Sequence, residues 1–189
     1  MNRTLKTVAI VVVIFLIITM PIIGGYNNMV SLEQKVKVTE GNIDTQLQRR
    51  SDLIPNLVET VKGYASQEKD IFIKVAEARA KLAGAKTVTD KAQADSELGG
   101  AVSRLLVIVE NYPDLKSSQN FKDLTVALEG TENRISTARL DYNTNVGNYN
   151  STIKKFPNKI IAGIFGFDEK PLYKASESAK ELPKVDFTK

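Results

Sequence analysis

The sequence contains no cysteine, no histidine and no tryptophan. Zinc sites take Cys or His ligands in nearly every known form, so a zinc protein is not expected. Thiol chemistry is excluded outright, and the commonest general base of enzymes is missing. A cysteine-free chain also suits an exported domain, which avoids stray disulfides. Phosphate loops are lacking: Gly24-Gly25 and Gly99-Gly100 have neither the flanking pattern nor the Lys-Ser/Thr that cradles phosphates. There is no G-x-S-x-G elbow. Nor does charge of one sign dominate. Lys and Arg number 26 against 22 Asp and Glu, a net of +4. Arg3 and Lys6 supply two of those positives ahead of the first apolar run, so the remainder is nearly neutral and no nucleic-acid partner is expected.

What is present begins with an apolar run. Thr7 to Gly25 carries no charge, and the next charged residue is Glu33. About 20 apolar residues span a bilayer core as a helix. Ile22-Ile23-Gly24-Gly25 is not an A-x-A-like processing site, so an uncleaved anchor is expected rather than a signal peptide. A lipoprotein would need a cysteine after the run. Arg3 and Lys6 precede the span, and no Lys or Arg follows it before Lys35. The positive-inside rule then puts the N-terminus in the cytoplasm and the main domain outside. Tyr26 falls at the interface. The expected division is a short N-terminus over 1–6, an anchor over 7–25, a domain over 26–167 and a mobile, Lys/Glu/Ser/Pro-rich tail over 168–189.

The domain reads as all-α, an elongated antiparallel bundle of three to four long helices. Met29, Val36, Ile43, Arg50 and Leu57 share one heptad position; Leu47, Ile54, Val61, Val75 and Leu82 share the other. Such 3–4 spacing marks a coiled-coil-like seam along one face. The first helix runs to about Gly84, with a kink or break expected at Pro55, where Ser51 or Asp52 is a candidate cap. A second helix is expected to about Tyr112 with Asp90 as a candidate cap, and a third after Ser117-Ser118, stopped by Pro157. Short connections make sequential helices antiparallel neighbours. Ile160–Phe167, too short to span a membrane, either caps the bundle, the reading favoured here, or lies on lipid or a partner.

Arg50 and Glu68 sit in the first seam, where charge needs a partner. Candidates on the other helices are Arg104, Glu110, Glu132, Arg139 and Asp141. A buried pair that fixes helix register is the simpler reading; a polar site between helices is the alternative. Glu110, Asp114, Glu129 and Glu132 read as solvated helix faces rather than a hydrolytic pair. Asn150-Ser151-Thr152 matches a glycosylation acceptor and is read as chance. Asn143, Asn145, Asn148 and Asn150 are unusual in a helix, because Asn competes for backbone bonds, and they suggest a polar contact face.

Taken in order, several motifs resemble the LemA family. They are Tyr26-Asn27; Ile43-Asp44-x-Gln46-Leu47-x-Arg49-Arg50-x-Asp52-Leu53-Ile54-Pro55-Asn56-Leu57-Val58; Val61-Lys62-Gly63-Tyr64; and Ala78-Arg79. Glu110-x-Tyr112-Pro113-x-Leu115-Lys116, Asn120-Phe121, Thr131-Glu132-Asn133-x-Ile135, Ala138-Arg139-x-x-Tyr142-Asn143, Tyr149-Asn150 and Phe156-Pro157 continue the series. Gln67 and Glu40 depart from residues common in relatives, His and Trp. The resemblance implies a bacterial inner-membrane protein with an N-terminal anchor and an extracytoplasmic bundle. It brings no agreed catalytic residue or ligand, and no cofactor. Occurrence beside membrane proteases or other envelope proteins implies an accessory role. Arg49, Arg50, Asp52 and Asn56 surround Pro55 and, with Glu68, Glu110, Glu132 and Arg139, form the candidate polar cluster, read as a hydrogen-bonded bend and bundle core. The expected function is non-enzymatic: contact with envelope proteins or with copies of itself. An enzyme with an Arg/carboxylate site between helices, or a lipid-remodelling protein, is the alternative.

Overall fold

The computed structural model describes residues 3–174. The tail expected over 168–189 therefore lies outside the described residues from Ala175 onward. Six helices occur: α1 (Arg3–Lys62), α2 (Lys69–Gly84), α3 (Val88–Val109), α4 (Pro113–Ser117), α5 (Gln119–Lys154) and α6 (Asn158–Phe165). Among the described residues there is no strand. The all-α reading holds.

α1 is one uninterrupted helix of 60 residues, about 90 Å long at 1.5 Å per residue. Its first third is apolar, and the side chains from Val8 to Ile17 are exposed, as is Met20. It is long and apolar enough to cross a membrane. Beyond Tyr26 the heptad phase takes over. Met29, Val36, Ile43, Arg50 and Leu57 are all buried, as are Leu47, Ile54 and Val61.

The break expected at Pro55 does not occur, and neither Ser51 nor Asp52 caps a helix. Proline lacks an N–H, so the carbonyl four residues earlier loses its helical partner. That carbonyl belongs to Ser51. Arg79 of α2 supplies the missing donor: its Nε reaches the Ser51 carbonyl at 3.0 Å and the Ser51 hydroxyl at 3.1 Å. The helix continues and ends after Lys62 instead, where Gly63 to Glu68 form the turn into α2. α3 starts two residues before the expected Asp90. Thr87 is its cap, accepting from the Asp90 N–H at 3.1 Å. α5 starts after Ser118, as expected, and Ser118 caps it, accepting from the Phe121 N–H.

Sequential neighbours hold for α2 and α3, but the main partner of α1 is α5. The pair is antiparallel: Thr60 meets Asn120 and Arg50 meets Glu132. α2 and α3 are shorter and flank only the upper part of this pair. The seam of α5 buries Phe121, Leu128, Ile135, Tyr142 and Tyr149, with Thr131, Ala138, Val146 and Ile153 beside them; Phe156, the next in the heptad, is exposed. At the base α6 packs on α1. Asn158 and Ile161 lie so near Gly25 that a Cβ there would come within 2.7 and 2.9 Å of them. Tyr26 stacks at 4.9 Å on Phe165 and at 5.6 Å on Phe167.

The expected loose tail is corrected for its first part. Residues 168–174 run extended along α5 toward the upper bundle, and Tyr173 is buried. In the lower half, where α2 and α3 do not reach, this strap covers part of the α1–α5 seam.

Arg79→Met should destabilise the full chain in detergent by about 1 kcal/mol, because the Ser51 carbonyl loses its donor. In a Pro55→Ala background, where a backbone N–H returns to that carbonyl, most of the cost should vanish. Urea unfolding of the four proteins in a double-mutant cycle checks this; additive effects would refute it.

Candidate functional site

α3 carries a carboxylate on its buried stripe. Val88, Ala92, Asp95, Val102 and Val109 recur at three to seven residues and are all buried. Asp95 is 1% exposed. A buried carboxylate must be paired and hydrogen-bonded, and three donors converge on it. Arg50 Nη1 from α1 lies 3.0 Å from Oδ1. Arg139 Nη2 from α5 and the Tyr173 hydroxyl from the strap, at 3.1 Å, both donate to Oδ2. Glu132, one heptad before Arg139 on the same face of α5, adds a second carboxylate: its Oε2 lies 2.8 Å from Arg50 Nη1 and its Oε1 3.9 Å from Arg139 Nη1. Two cations thus face two anions. Gly99 makes room for the group, since a Cβ there would sit 3.1 Å from an Arg50 guanidinium nitrogen.

Burial works against the charged form of Arg139, and Asp95, Tyr173 and Glu132 together outweigh it, so its pKa rises. Burial, reinforced by the Asp95 charge, pushes the Tyr173 phenol well above its ordinary value. Tyr173 is therefore a neutral donor. Its ring also lies 5.1 Å from the Arg139 guanidinium carbon, within cation–π range. Burial likewise raises Tyr142 to about 12.

The strap is held by side-chain amides. Asn150 Nδ2 donates to the Lys170 carbonyl at 2.9 Å, and the Lys170 N–H donates back to Asn150 Oδ1 at 2.9 Å. Asn143 repeats the exchange with Tyr173 at 3.0 and 2.8 Å. The Tyr142 hydroxyl donates to the Pro171 carbonyl at 2.9 Å. Spacing explains the pattern. Two helical turns separate Asn143 from Asn150, about 10.5 Å. Lys170 to Tyr173 in extended chain covers nearly the same distance, about 10 Å. Lys170 also reaches α1, with Nζ 2.9 Å from Glu33. That bond holds the Glu33 carboxyl below, and the Lys170 amine above, its ordinary value. Asn145 and Asn148 take no part in this clamp: Asn145 donates to the Asp141 carbonyl, and the Asn148 carbonyl accepts from Thr152.

Of the candidate cluster, Arg50, Glu132 and Arg139 come together, and Asp95 and Tyr173 complete the site. The others do not join it. Arg49 and Asp52 lie exposed on α1, Asp52 accepting from Gln48 at 2.8 Å. Asn56 is exposed, and its carbonyl accepts from the Thr60 hydroxyl. Glu68 precedes α2 and bonds back to Ala65 through its backbone. Glu110 pairs with Lys116. The charges around Pro55 do not satisfy the Ser51 carbonyl that it leaves without a helical partner; Arg79 does. A cavity of about 430 Å³ opens onto the cluster itself, lined by Arg50, Asp95, Glu132, Arg139 and Tyr173 together with Ser96, Thr125 and Glu129. Among the described residues, no three His, Cys, Asp or Glu side chains gather as for a metal ion.

The LemA family model matches residues 39–187, which take in α2 to α6, most of the bundle part of α1, and every member of the Asp95 cluster. The chain belongs to the LemA family. Its relatives include the magnetosome protein MamQ 1 of Paramagnetospirillum magneticum, 28% identical over 190 residues that cover 85% of this chain and 66% of the relative. MamQ of Magnetospirillum gryphiswaldense is 28% identical, over 75% of this chain and 62% of its own length. Protein LemA of Metamycoplasma hominis is 22% identical, over 87% and 78%. The LemA-family chain therefore spans about two thirds of the MamQ proteins it matches. Family membership and a helix of membrane-crossing length together mark a membrane-associated protein. Arg50, Glu132 and Arg139 all fall within the motifs that carry the LemA resemblance, whereas Asp95 lies in the stretch between them.

Asp95→Ala should cost about 3–5 kcal/mol in urea unfolding of the full chain, because it leaves Arg50 and Arg139 facing each other without their buried counter-charge. Asp95→Asn, which keeps the acceptor, should cost less. For the strap, Glu33 has a lowered folded pKa, so its contribution is complete above the ordinary value of 4.5 and is lost as pH falls through the lowered one. Carboxyl NMR titration of Glu33 should show that lowered midpoint, and Lys170→Met should return it toward 4.5; an unmoved midpoint would refute the pairing.

Proposed function

We propose that the chain is a non-enzymatic, single-pass membrane protein that acts by protein contact. Its bundle contacts envelope proteins, or other copies of itself, on the outer side of the bacterial inner membrane. The observation that carries this is the engagement of Asp95 by donors of its own chain, although a cavity opens onto the cluster around it. Asp95 is fully buried and its acceptor oxygens are engaged by Arg50, Arg139 and Tyr173. A general acid or base must reach substrate protons; a carboxylate enclosed by three donors from its own chain is arranged instead to hold helices in register. The polar group that the fold protects most thus serves architecture.

Two further features support the reading. The apolar segment and the bundle share one continuous helix, so the bundle stands rigidly over the anchor. Parallel anchored helices meet side by side, which favours self-association along the membrane normal. Arg3 and Lys6 before the span support an N-terminus inside and a bundle outside. A membrane protease or another envelope protein is the class of partner that an accessory role would require. The MamQ relatives are named as magnetosome proteins; for this chain the corresponding proposal is an organising role at a membrane.

The absence of native cysteine gives a direct test. Single cysteines at the exposed positions Val30, Val38 and Leu140 should form same-position disulfides in membranes at one or more sites, since bridged Cβ atoms must approach to about 3.8 Å. Photo-crosslinkers at the same sites report other partners. A chain that remains monomeric and uncrosslinked by both probes would overturn the proposal.

A further inference from the structure

α6 presents two faces. Ile161 and Ala162 are buried, and Ile161 packs against α1 at Gly25. On the other side Ile160, Ile164 and Phe165 are 57%, 72% and 53% exposed, and Phe156, just before the helix, is 82% exposed. Phe156, Ile160 and Ile164 are spaced four apart, so within α6 Ile160 and Ile164 form one stripe, with Phe156 at its entrance. Four large apolar side chains on so short an element are a patch, unlike the scattered Val107, Val126 and Leu140 elsewhere.

Position decides the occupant. Thr7–Gly25 is 19 residues, about 28 Å of helix, close to the hydrocarbon thickness of a bilayer. α6 therefore docks on α1 at the residue where the chain leaves the apolar layer. Tyr26, at the level favoured by interfacial aromatics, stacks directly on Phe165 and Phe167. Lys155 and Lys159 flank the stripe, within reach of lipid phosphates, while Lys154 is engaged with Glu169. A second copy of the chain would have to compete with lipid already present at this height.

We infer that the exposed face of α6, with Phe156, Ile160, Ile164 and Phe165, rests in the headgroup–acyl boundary of the bilayer that holds α1. Apolar burial provides the attachment and the two lysines a secondary contact with phosphate. The bundle then meets the membrane at two places, the span and a foot beside it. This restricts tilting of a stalk that one helix alone would leave free to lean. The inference rests on the span reading of α1.

The chain has no tryptophan, so single Trp substitutions report local environment without background. Full-length Ile160→Trp and Ile164→Trp are compared in phosphatidylcholine/phosphatidylglycerol proteoliposomes with Phe15→Trp in the span and Val107→Trp near the top of α3. Lipids brominated near the headgroup should quench Ile160→Trp and Ile164→Trp at least about twofold more than Val107→Trp, as expected for a face buried about 5–10 Å into the boundary. Their emission should also be blue-shifted. Equal bromolipid quenching at positions 164 and 107 would overturn the inference, whether the ring is open to acrylamide or shielded by another protein copy. Phe15→Trp separates the two readings: deep bromines must quench it. Failure there overturns the span and the foot together; success there with an unquenched α6 overturns the foot alone.

Discussion

A carboxylate removed from water imposes strict demands on its surroundings. Asp95 is the place in this bundle where those demands fall on every part of the fold at once. Its donors come from α1, α5 and the strap, while Asp95 itself belongs to α3. The surrounding seams are apolar and would tolerate a slip of one element along another at modest cost. A buried charge would not, because slipping any donor away leaves an uncompensated ion. The register of the bundle is thus set by one carboxylate and two guanidinium groups. Gly99 is the spatial condition that lets Arg50 reach them.

The strap extends the same logic downward. Below the ends of α2 and α3, the α1–α5 pair would present one side of its seam to water. An extended segment can cover it only if its own backbone polar groups find partners. Asn143 and Asn150 provide a donor and an acceptor each, spaced to match residues three apart in an extended chain. Tyr173 then anchors the upper end on Asp95, and Lys170 ties the lower end to Glu33. The coverage of the seam and the closure of the charge cluster are one arrangement.

For function, the consequence is mechanical. The continuous α1 carries the bundle on the segment that is long and apolar enough to cross a membrane, and α6 touches it where that segment ends. A rod held in register by its buried charges, with an apolar foot, is suited to presenting a surface at a set height above a bilayer, which is consistent with membership of a membrane-associated family.

Much of this was legible in order along the chain. An uncharged run of bilayer length, a 3–4 heptad phase from Met29 onward and the start of α5 after Ser118 are local properties, and local chemistry dictates helix and buried face without reference to distant residues. Arg50 could be recognised as needing a partner because charge in a seam is costly, and Glu132 and Arg139 were among the partners available. Asp95 was legible in principle, on the stripe through Val88, Ala92 and Val102, but the parallel stripe through Leu98 and Leu105 is more apolar and masks it. The continuity of α1 through Pro55 was not legible, because the donor that rescues the Ser51 carbonyl lies on another helix. The order of 168–174 was hidden for the same reason: a polar, proline-containing segment has no periodicity of its own, and only the folded face of α5 brings Asn143 and Asn150 into line to receive it. Sequence alone determined the periodic, local elements of this protein. Tertiary structure decided which polar groups would meet, since a hydrogen bond between residues far apart in the chain depends on the packing that brings them together.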